Sequence, residues 1–306
     1  MTKKRFQGTG TAMITPFKPD GSVDEKTLRR FVDFQVGGGI DMLLPCGTTG
    51  EGATLDADET DRVVQIVIEQ AQRRVPVIVG AGSNSTAKAV HATKRAKKLG
   101  ADGVLSVGPY YNKPTQQGYY EHFKAIAEAE DIPVIVYNVP GRTSGNIEAK
   151  TILRLAEIRN IVAVKEASGN LGQIMDVIRD APGHFRVLSG DDALALPVVL
   201  LGGDGVISVV SNEAPAMMSA LINAALESDI GRSRELHYKL LQLMNANFIE
   251  SNPIPVKAAL AMMGMIEETY RLPLVRMGEP NREKLARIVE ALGLLQTVQY
   301  ESSRRD

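Results

Sequence analysis

The segment IVAVKEASGN, residues 161–170, carries the pattern that decides the fold. Four apolar residues precede Lys165, at a point where a strand would be about to end. A short apolar run of this kind is typical of a strand that is buried on both faces, as in a parallel sheet. The segment therefore predicts a buried parallel strand that carries a lysine near its carboxyl end.

Seven further runs of the same apolar, β-branched kind occur on either side of this segment. They are TAMITPF (11–17), DMLLPC (41–46), VPVIVG (75–80), GVLSVG (103–108), PVIVYNV (133–139), FRVLSG (185–190) and GVISVV (205–210). Amphipathic helical patterns, such as DEKTLRRFVDFQV (24–36), lie between them. Eight strands that alternate with helices predict an α/β protein, and the regular spacing favours a (β/α)8 TIM barrel over an open doubly wound sheet.

After Val210 the strand signals stop and only helical patterns follow. These are APAMMSALINAALE (214–227), SRELHYKLLQLMNAN (233–247), a segment after NPIPVK (252–257), and REKLARIVEALGLL (282–295). We therefore predict a catalytic barrel in residues 1–228 and a helical C-terminal extension in residues 229–306. Packing or assembly is the only role that the sequence predicts for this extension.

The composition excludes several classes of protein. The formal net charge is −1 and the basic residues are scattered, which does not suit a nucleic-acid interface. Cys46 is the only cysteine, so no intrachain disulfide can form. The N-terminal segment lacks the apolar stretch of a signal peptide, and the longest apolar run, ALALPVVLL (193–201), is too short to span a bilayer. We expect a cytoplasmic protein with no nucleic-acid or membrane partner.

Metal and dinucleotide sites are not indicated either. The sequence contains no HExxH or CxxC spacing, and its histidines fall on helical patterns or in a turn, where we expect them to be solvated. The four are His91, His122, His184 and His237. The stretch GAGSNS (80–85) has Ser85 in place of the third glycine of a dinucleotide fingerprint, so we interpret it as a tight βα turn. We expect no metal and no cofactor.

Polar side chains follow the predicted strands, where a barrel of this class places its chemistry. Lys165 is the most informative of them. In an apolar pocket the ammonium form is disfavoured, so the neutral amine could attack a ketone and form a Schiff base. Alternatively, Lys165 could extend to the rim and pair with an acid such as Glu166. The lysines at 18 and 113 lie in loops, and Lys257 opens a helix outside the barrel, so they compete poorly.

Other strand-end residues have two interpretations each. Tyr137 lies one strand away from Lys165, so its phenol could reach the substrate of the amine, or could simply be buried. Thr48 and Thr49 stand between glycines and could hold a carboxylate, or could form a mere turn. Arg142 could bind a second carboxylate, or could be a surface arginine.

Six motifs occur in the order found in one known family. They are GTTGE (47–51), PYYNKPTQQGYYEHF (109–123), YNVPGRT (137–143), KEASGN (165–170), LSGDD (188–192) and NPIPVK (252–257). With them, nearly the whole chain resembles the pyruvate-dependent class I aldolases, the family that includes N-acetylneuraminate lyase. Within that family it is most similar to the dihydrodipicolinate synthase branch.

The resemblance implies a catalytic set. Lys165 would form the Schiff base with pyruvate, and Tyr137 would donate and accept the protons. Thr48 and Tyr111 would complete a proton relay, with Tyr111 reaching the site of a neighbouring subunit. This implies a homo-oligomer, which we expect to be a dimer of dimers.

The resemblance also implies the substrates and their binding groups. Thr49, the backbone of Ile207, and Gly190 would hold the carboxylate of pyruvate, and Arg142 would bind that of L-aspartate-4-semialdehyde. The reaction would give 4-hydroxy-tetrahydrodipicolinate, in the first committed step of the diaminopimelate route to lysine.

Other activities stay open at this level. The alternative within the family is an aldolase for N-acetylneuraminate or for 2-keto-3-deoxy sugar acids, although Arg142 and the paired threonines favour the synthase. A barrel that only binds a 2-oxo acid would need no proton relay, and pyridoxal-phosphate chemistry would need a phosphate site that the sequence does not indicate. Ala57, Thr60 and Lys88 replace the histidines and glutamate that hold lysine in inhibited members, so we expect weak or absent feedback by lysine.

Overall fold

The computed structural model describes residues 4–295, and eight parallel strands form its centre. The strands are β1 (Gly8–Ala12), β2 (Met42–Leu44), β3 (Ile78–Gly80), β4 (Gly103–Val107), β5 (Val134–Asn138), β6 (Ile161–Glu166), β7 (Arg186–Ser189) and β8 (Gly205–Ser208). They are ordered β2-β1-β8-β7-β6-β5-β4-β3. A parallel bridge between Leu43 and Val77 joins β2 to β3 and closes the sheet. The predicted (β/α)8 barrel is confirmed.

Helices surround the barrel and continue beyond it. They are α1 (Glu25–Gly37), α2 (Ala57–Ala71), α3 (Thr86–Leu99), α4 (Gln116–Ala129), α5 (Pro140–Thr143), α6 (Ala149–Ala156), α7 (Leu171–Asp180), α8 (Ala195–Leu200), α9 (Pro215–Leu226), α10 (Ile230–Ala246), α11 (Ile254–Met262) and α12 (Glu279–Ala291). The last four agree with the four helical patterns found after Val210. The division between residues 228 and 229 falls at the turn before α10 and stays a prediction. The predicted regions also include residues 1–3 and 296–306, which lie outside the described residues.

The first strand lies earlier in the chain than the sequence predicted. The apolar run 11–17 overlaps β1 only at its start, because β1 is built from alternating glycine and threonine. A Cβ on Gly10 would come within 2.8 Å of the Leu44 side chain, so glycine lets β1 pack closely against its neighbours. Beyond β1 the chain leaves the sheet, and the backbone N–H of Ile14 donates to Oδ1 of Asn212 at 3.0 Å.

The apolar side chains form two layers that fix which way each strand residue points. One cluster fills the space between strands and helices, and the other fills the barrel interior. On β5 and β6 the interior cluster includes Ile135, Tyr137 and Ala163. Successive strand residues point to opposite faces, so Lys165, two positions after Ala163, also points into the barrel. Its direction is therefore set by strand periodicity.

Two of the four histidines are more buried than the sequence predicted. His122 on α4 and His237 on α10 are only 5% and 9% exposed, whereas His91 and His184 are exposed, as expected. His122 lies on the inner face of its helix, with Nδ1 2.9 Å from the hydroxyl oxygen of Thr86. Between residues 4 and 295, no helix has the length and apolarity needed to cross a bilayer.

Candidate active site

A cavity of about 1040 Å³ opens at the carboxyl ends of the strands. Side chains from the barrel and from the C-terminal region line it together. The barrel contributes, among others, Thr48, Thr49, Tyr137, Arg142, Lys165 and Gly190, and the C-terminal region contributes residues 248–253, Pro273 and Leu274. Six of the eight predicted site residues therefore share one cavity.

Lys165 lies on the barrel-facing side of β6 and is 6% exposed. It pairs in register with Tyr137 on β5, and its Nζ lies 4.2 Å from the centre of that ring. Throughout residues 4–295 we find no hydrogen-bond acceptor or ion-pair partner for this amine. Glu166 points to the other face of the strand, where it accepts hydrogen bonds from Asn138 Nδ2 and Ser168 N–H. The alternative ion pair between Lys165 and Glu166 is therefore wrong.

Burial changes the acidity of both groups. It lowers the pKa of Lys165 to about 8, with the carboxylate of Asp192 opposing and the guanidinium of Arg142 adding to the shift. At that pKa roughly one amine in ten is neutral at pH 7, far more than for an ordinary lysine. Burial also raises the pKa of Tyr137 to about 12, which Arg142 opposes. The site thus holds a partly neutral amine next to a protonated phenol.

Gly190, just after β7, provides the space for the lysine side chain. A Cβ at this position would lie 3.1 Å from both Cγ and Cε of Lys165 and 2.7 Å from Cβ of Ala167. Its backbone N–H donates to the carbonyl of Glu166 at 2.7 Å, so the turn is held against β6. Any larger residue at 190 would have to displace Ala167 and the side chain of Lys165.

Asn252 joins two of the predicted binding residues. Its Nδ2 donates to Oγ1 of Thr49 at 2.9 Å, and its carbonyl accepts from Nη2 of Arg142 at 3.3 Å. Arg142 lies on α5, which begins at Pro140 with a φ that is suited to a first turn. Ser144, at a φ of 57°, ends this short helix. The two predicted carboxylate-binding groups are thus connected through one residue of the C-terminal region.

Two predicted residues do not line the cavity. Ile207 is buried on β8 at 1% exposure, and Tyr111 is 90% exposed with a φ of 72°. In this single chain, the Tyr111 side chain therefore lies outside the cavity that six other predicted site residues share.

Sequence reasoning missed the residues that support the site. Asp192 is 2% exposed, and its Oδ2 accepts from the backbone N–H groups of Val209 and Val210, each at 2.9 Å. Burial raises its pKa. Lys257 on α11 is fully buried and contacts Glu51 at 2.6 Å. The only sequence signal was that these residues belong to the motifs LSGDD, NPIPVK and GTTGE.

No set of three or more His, Cys, Asp or Glu side chains is placed to hold a metal ion in the described part of the chain. A (β/α)8 barrel whose mouth holds a buried, unpaired lysine next to a tyrosine is typical of the lysine-dependent aldolase class of lyases.

Comparison with known proteins defines the family. The sequence model of the dihydrodipicolinate synthetase family matches residues 5–292, so the chain belongs to this family, as its motifs predicted. A 4-hydroxy-tetrahydrodipicolinate synthase of Koribacter versatilis (strain Ellin345) is 56% identical over 292 residues, covering 95% of this chain and 97% of the relative.

Two solved structures share the fold closely. A dihydrodipicolinate synthase from Aquifex aeolicus is 48% identical with a TM-score of 0.93, covering 95% of this chain and 99% of that one. A structure described as a monomeric dihydrodipicolinate synthase variant is 46% identical with a TM-score of 0.93, covering 95% and 98%.

Proposed function

We propose that this lyase condenses pyruvate with L-aspartate-4-semialdehyde to give 4-hydroxy-tetrahydrodipicolinate, the first committed step of the diaminopimelate route to lysine. The observation that carries the proposal is the buried Lys165 amine, which has no ion-pair partner within residues 4–295 and lies 4.2 Å from the Tyr137 ring. Relatives that carry the name of this synthase are about half identical over nearly the whole chain.

Lys165 supplies the electron sink. Its neutral amine attacks the ketone carbon of pyruvate, and the Tyr137 phenol, protonated at neutral pH, gives a proton to the leaving water. Loss of a proton from the methyl group converts the iminium into an enamine. The enamine attacks the aldehyde carbon, and the amino group of the second substrate then adds to the imine carbon and displaces Lys165. No cofactor is required for this sequence.

The carboxylates of the two substrates are assigned to different groups of the cavity. Thr49 and Gly190 line the cavity that holds Lys165, and we assign the carboxylate of pyruvate to them. Arg142 has a guanidinium suited to the carboxylate of the semialdehyde. The part played by the backbone of Ile207 depends on the family resemblance alone, because this residue does not line the cavity.

Tyr111 completes the proton relay with Thr48 only if a second subunit is present. Its 90% exposure in the single chain is consistent with a residue that acts across an interface. We therefore propose a homodimer as the minimal active unit and a dimer of dimers as the assembly. Because one relative is described as a monomeric variant, the assembly has to be measured by analytical ultracentrifugation. A monomer at working concentration with full activity would contradict the role of Tyr111.

Regulation and location follow from the sequence. Lys88 is exposed on α3, and its ammonium would repel a lysine effector, so we expect inhibition by lysine to be weak or absent. Inhibition at micromolar lysine in a coupled assay would contradict this. A cytoplasmic location also stays a prediction.

The experiment that tests the function begins with borohydride reduction in the presence of pyruvate, followed by intact-mass analysis of the wild type and of Lys165→Ala. We expect a pyruvate-derived adduct on the wild type only. Unreduced enzyme is then given pyruvate together with aspartate semialdehyde, and the consumption of both is followed, with N-acetylneuraminate as the comparison substrate. An adduct with turnover of the sugar acid alone would favour the sister aldolase, and no adduct at all would overturn the proposal.

A further inference from the structure

A second lysine lies buried beside the cavity, and the proposed reaction does not use it. Lys257, near the start of α11, is 0% exposed, and its Nζ lies 2.6 Å from Oε1 of Glu51. Its ammonium also faces the ring of Phe17 at 4.3 Å and the ring of Tyr270 at 5.3 Å. The other oxygen of Glu51 accepts from the backbone N–H of Arg271 at 3.2 Å. The C-terminal region therefore contacts Glu51 at two points.

Glu51 belongs to the loop that carries Thr48 and Thr49. Its backbone N–H donates to the carbonyl of Thr48 at 3.1 Å, and its own φ is 52°, in the left-handed region. A non-glycine residue adopts this conformation only where its surroundings enforce it. Position 51 is thus a place where an outside contact can determine the conformation of the loop.

The adjacent glycines leave this loop little freedom. A Cβ on Gly50 would lie 2.9 Å from the carbonyl oxygen of Met13, and a Cβ on Gly52 would overlap the carbonyl oxygen of Cys46. The hydroxyl of Thr15 also donates to the carbonyl of Gly50 at 2.7 Å. The backbone on both sides of Glu51 is therefore closely packed, which leaves the loop little room to adjust around a displaced Glu51 side chain.

Stability alone does not explain a charged pair at this position. Removing two charges from water is costly, and apolar replacements of a buried pair are often neutral or stabilising. The pair does impose a direction and a distance, which an apolar contact would not. Its geometry thus suits positioning better than it suits stabilisation.

We propose that Lys257 and Glu51 are positioning residues that hold the Thr48–Thr49 loop in its substrate-binding conformation from the C-terminal region. The inference rests on the proposed function, because it assigns this loop to the carboxylate of pyruvate. It gives the helical extension a role beyond packing, since Lys257 acts on the site across 206 positions of the sequence.

The test is the double variant Glu51→Gln/Lys257→Met, which removes both charges and leaves neither unpaired. Its matched control is Arg186→Met/Asp204→Asn, which removes a largely buried pair, 3.5 Å apart, at the amino-terminal starts of β7 and β8, away from the cavity. Circular dichroism and thermal unfolding first establish that each variant is folded. Adduct formation with pyruvate under borohydride is then followed over a range of pyruvate concentrations.

We expect the half-saturating pyruvate concentration of the double variant to rise at least about tenfold, with a smaller change in the saturated rate. Hydrogen exchange of the peptide spanning residues 47–52 should become faster, while the control keeps wild-type values for both. A folded double variant with wild-type saturation and exchange would overturn the proposal. If wild type forms no adduct, the proposed function fails and the exchange of residues 47–52 alone decides this inference.

Discussion

The two lysines Lys165 and Lys257 are both buried and both lie next to an aromatic ring, but among the residues that the structure describes only Lys257 has a carboxylate partner. Lys165 and Lys257 are 6% and 0% exposed, and each ammonium position lies just over 4 Å from the centre of an aromatic ring. Lys257 contacts the carboxylate of Glu51 at 2.6 Å, whereas no carboxylate within residues 4–295 contacts Lys165. Burial lowers the pKa of both amines, and for Lys257 the carboxylate opposes that shift.

The difference shows what separates a reactive lysine from a structural one. Burial is common to both and therefore does not define a nucleophile. A contacting carboxylate holds the amine as an ammonium ion, whose nitrogen has no free electron pair for attack. The comparison can be tested by changing each lysine in turn.

The largest expected effect is on catalysis. Lys165→Met should lower turnover by at least about 10³-fold, because the covalent step loses its nucleophile. Lys165→Arg is the control, since it keeps a cation in the same place but offers no neutral amine near pH 7. Steady-state kinetics of both variants measures this loss. Activity of Lys165→Arg within tenfold of wild type would assign Lys165 an electrostatic role instead.

The next effect is on folding. Lys257→Met alone should lower the free energy of unfolding by about 3–5 kcal/mol, because it leaves Glu51 buried without its partner. Urea unfolding measures this change. Addition of Glu51→Gln should recover part of the loss, and failure of the second change to recover any of it would show that packing of the lysine stem dominates.

The same substitution at the other lysine should act with the opposite sign. The folded pKa of Lys165, about 8, lies below the pKa of a lysine in the unfolded chain. The unfolded chain therefore binds the proton more tightly, and this difference destabilises the folded protein at pH values below the unfolded pKa. Lys165→Met should therefore raise the free energy of unfolding by about 1–3 kcal/mol at pH 7. The gain should shrink as the pH rises from 8 to the unfolded pKa. A destabilised variant at pH 7 would contradict the low folded pKa.

The smallest effect concerns the pH profile. Adduct formation with pyruvate should rise with pH, reach half of its maximum near pH 8, where half of the Lys165 amines are neutral, and level off above that pH. Asp192 opposes the lowering of this pKa, so Asp192→Asn should move the profile to lower pH. The rate of borohydride trapping between pH 6 and 9 would be the measurement. An unchanged profile would mean that Asp192 acts only through the backbone N–H groups of Val209 and Val210, and a move to higher pH would contradict its electrostatic effect on Lys165.

Local patterns in the sequence predicted the burial and direction of Lys165 but could not predict the ion pair of Lys257. Lys165 lies inside an apolar run, so strand periodicity predicts both its burial and its direction. Lys257 lies at the start of a helix, and its partner stands 206 positions away, which makes their pairing a property of the tertiary structure. The sequence predicted β1 three residues too late for a related reason. This strand is defined by the close packing of its glycines and not by apolar side chains.

The distance in sequence between Glu51 and Lys257 also affects when the site can form during synthesis. Strand β1 pairs with β8 through Gly8 and Gly205, so the barrel cannot close until most of the chain has left the ribosome. The loop after β2 has to wait still longer, until α11 is available. A nascent chain would therefore carry a complete barrel sequence, including its reactive amine, before its substrate loop is fixed. Activity would be acquired only as the final helices fold onto the barrel.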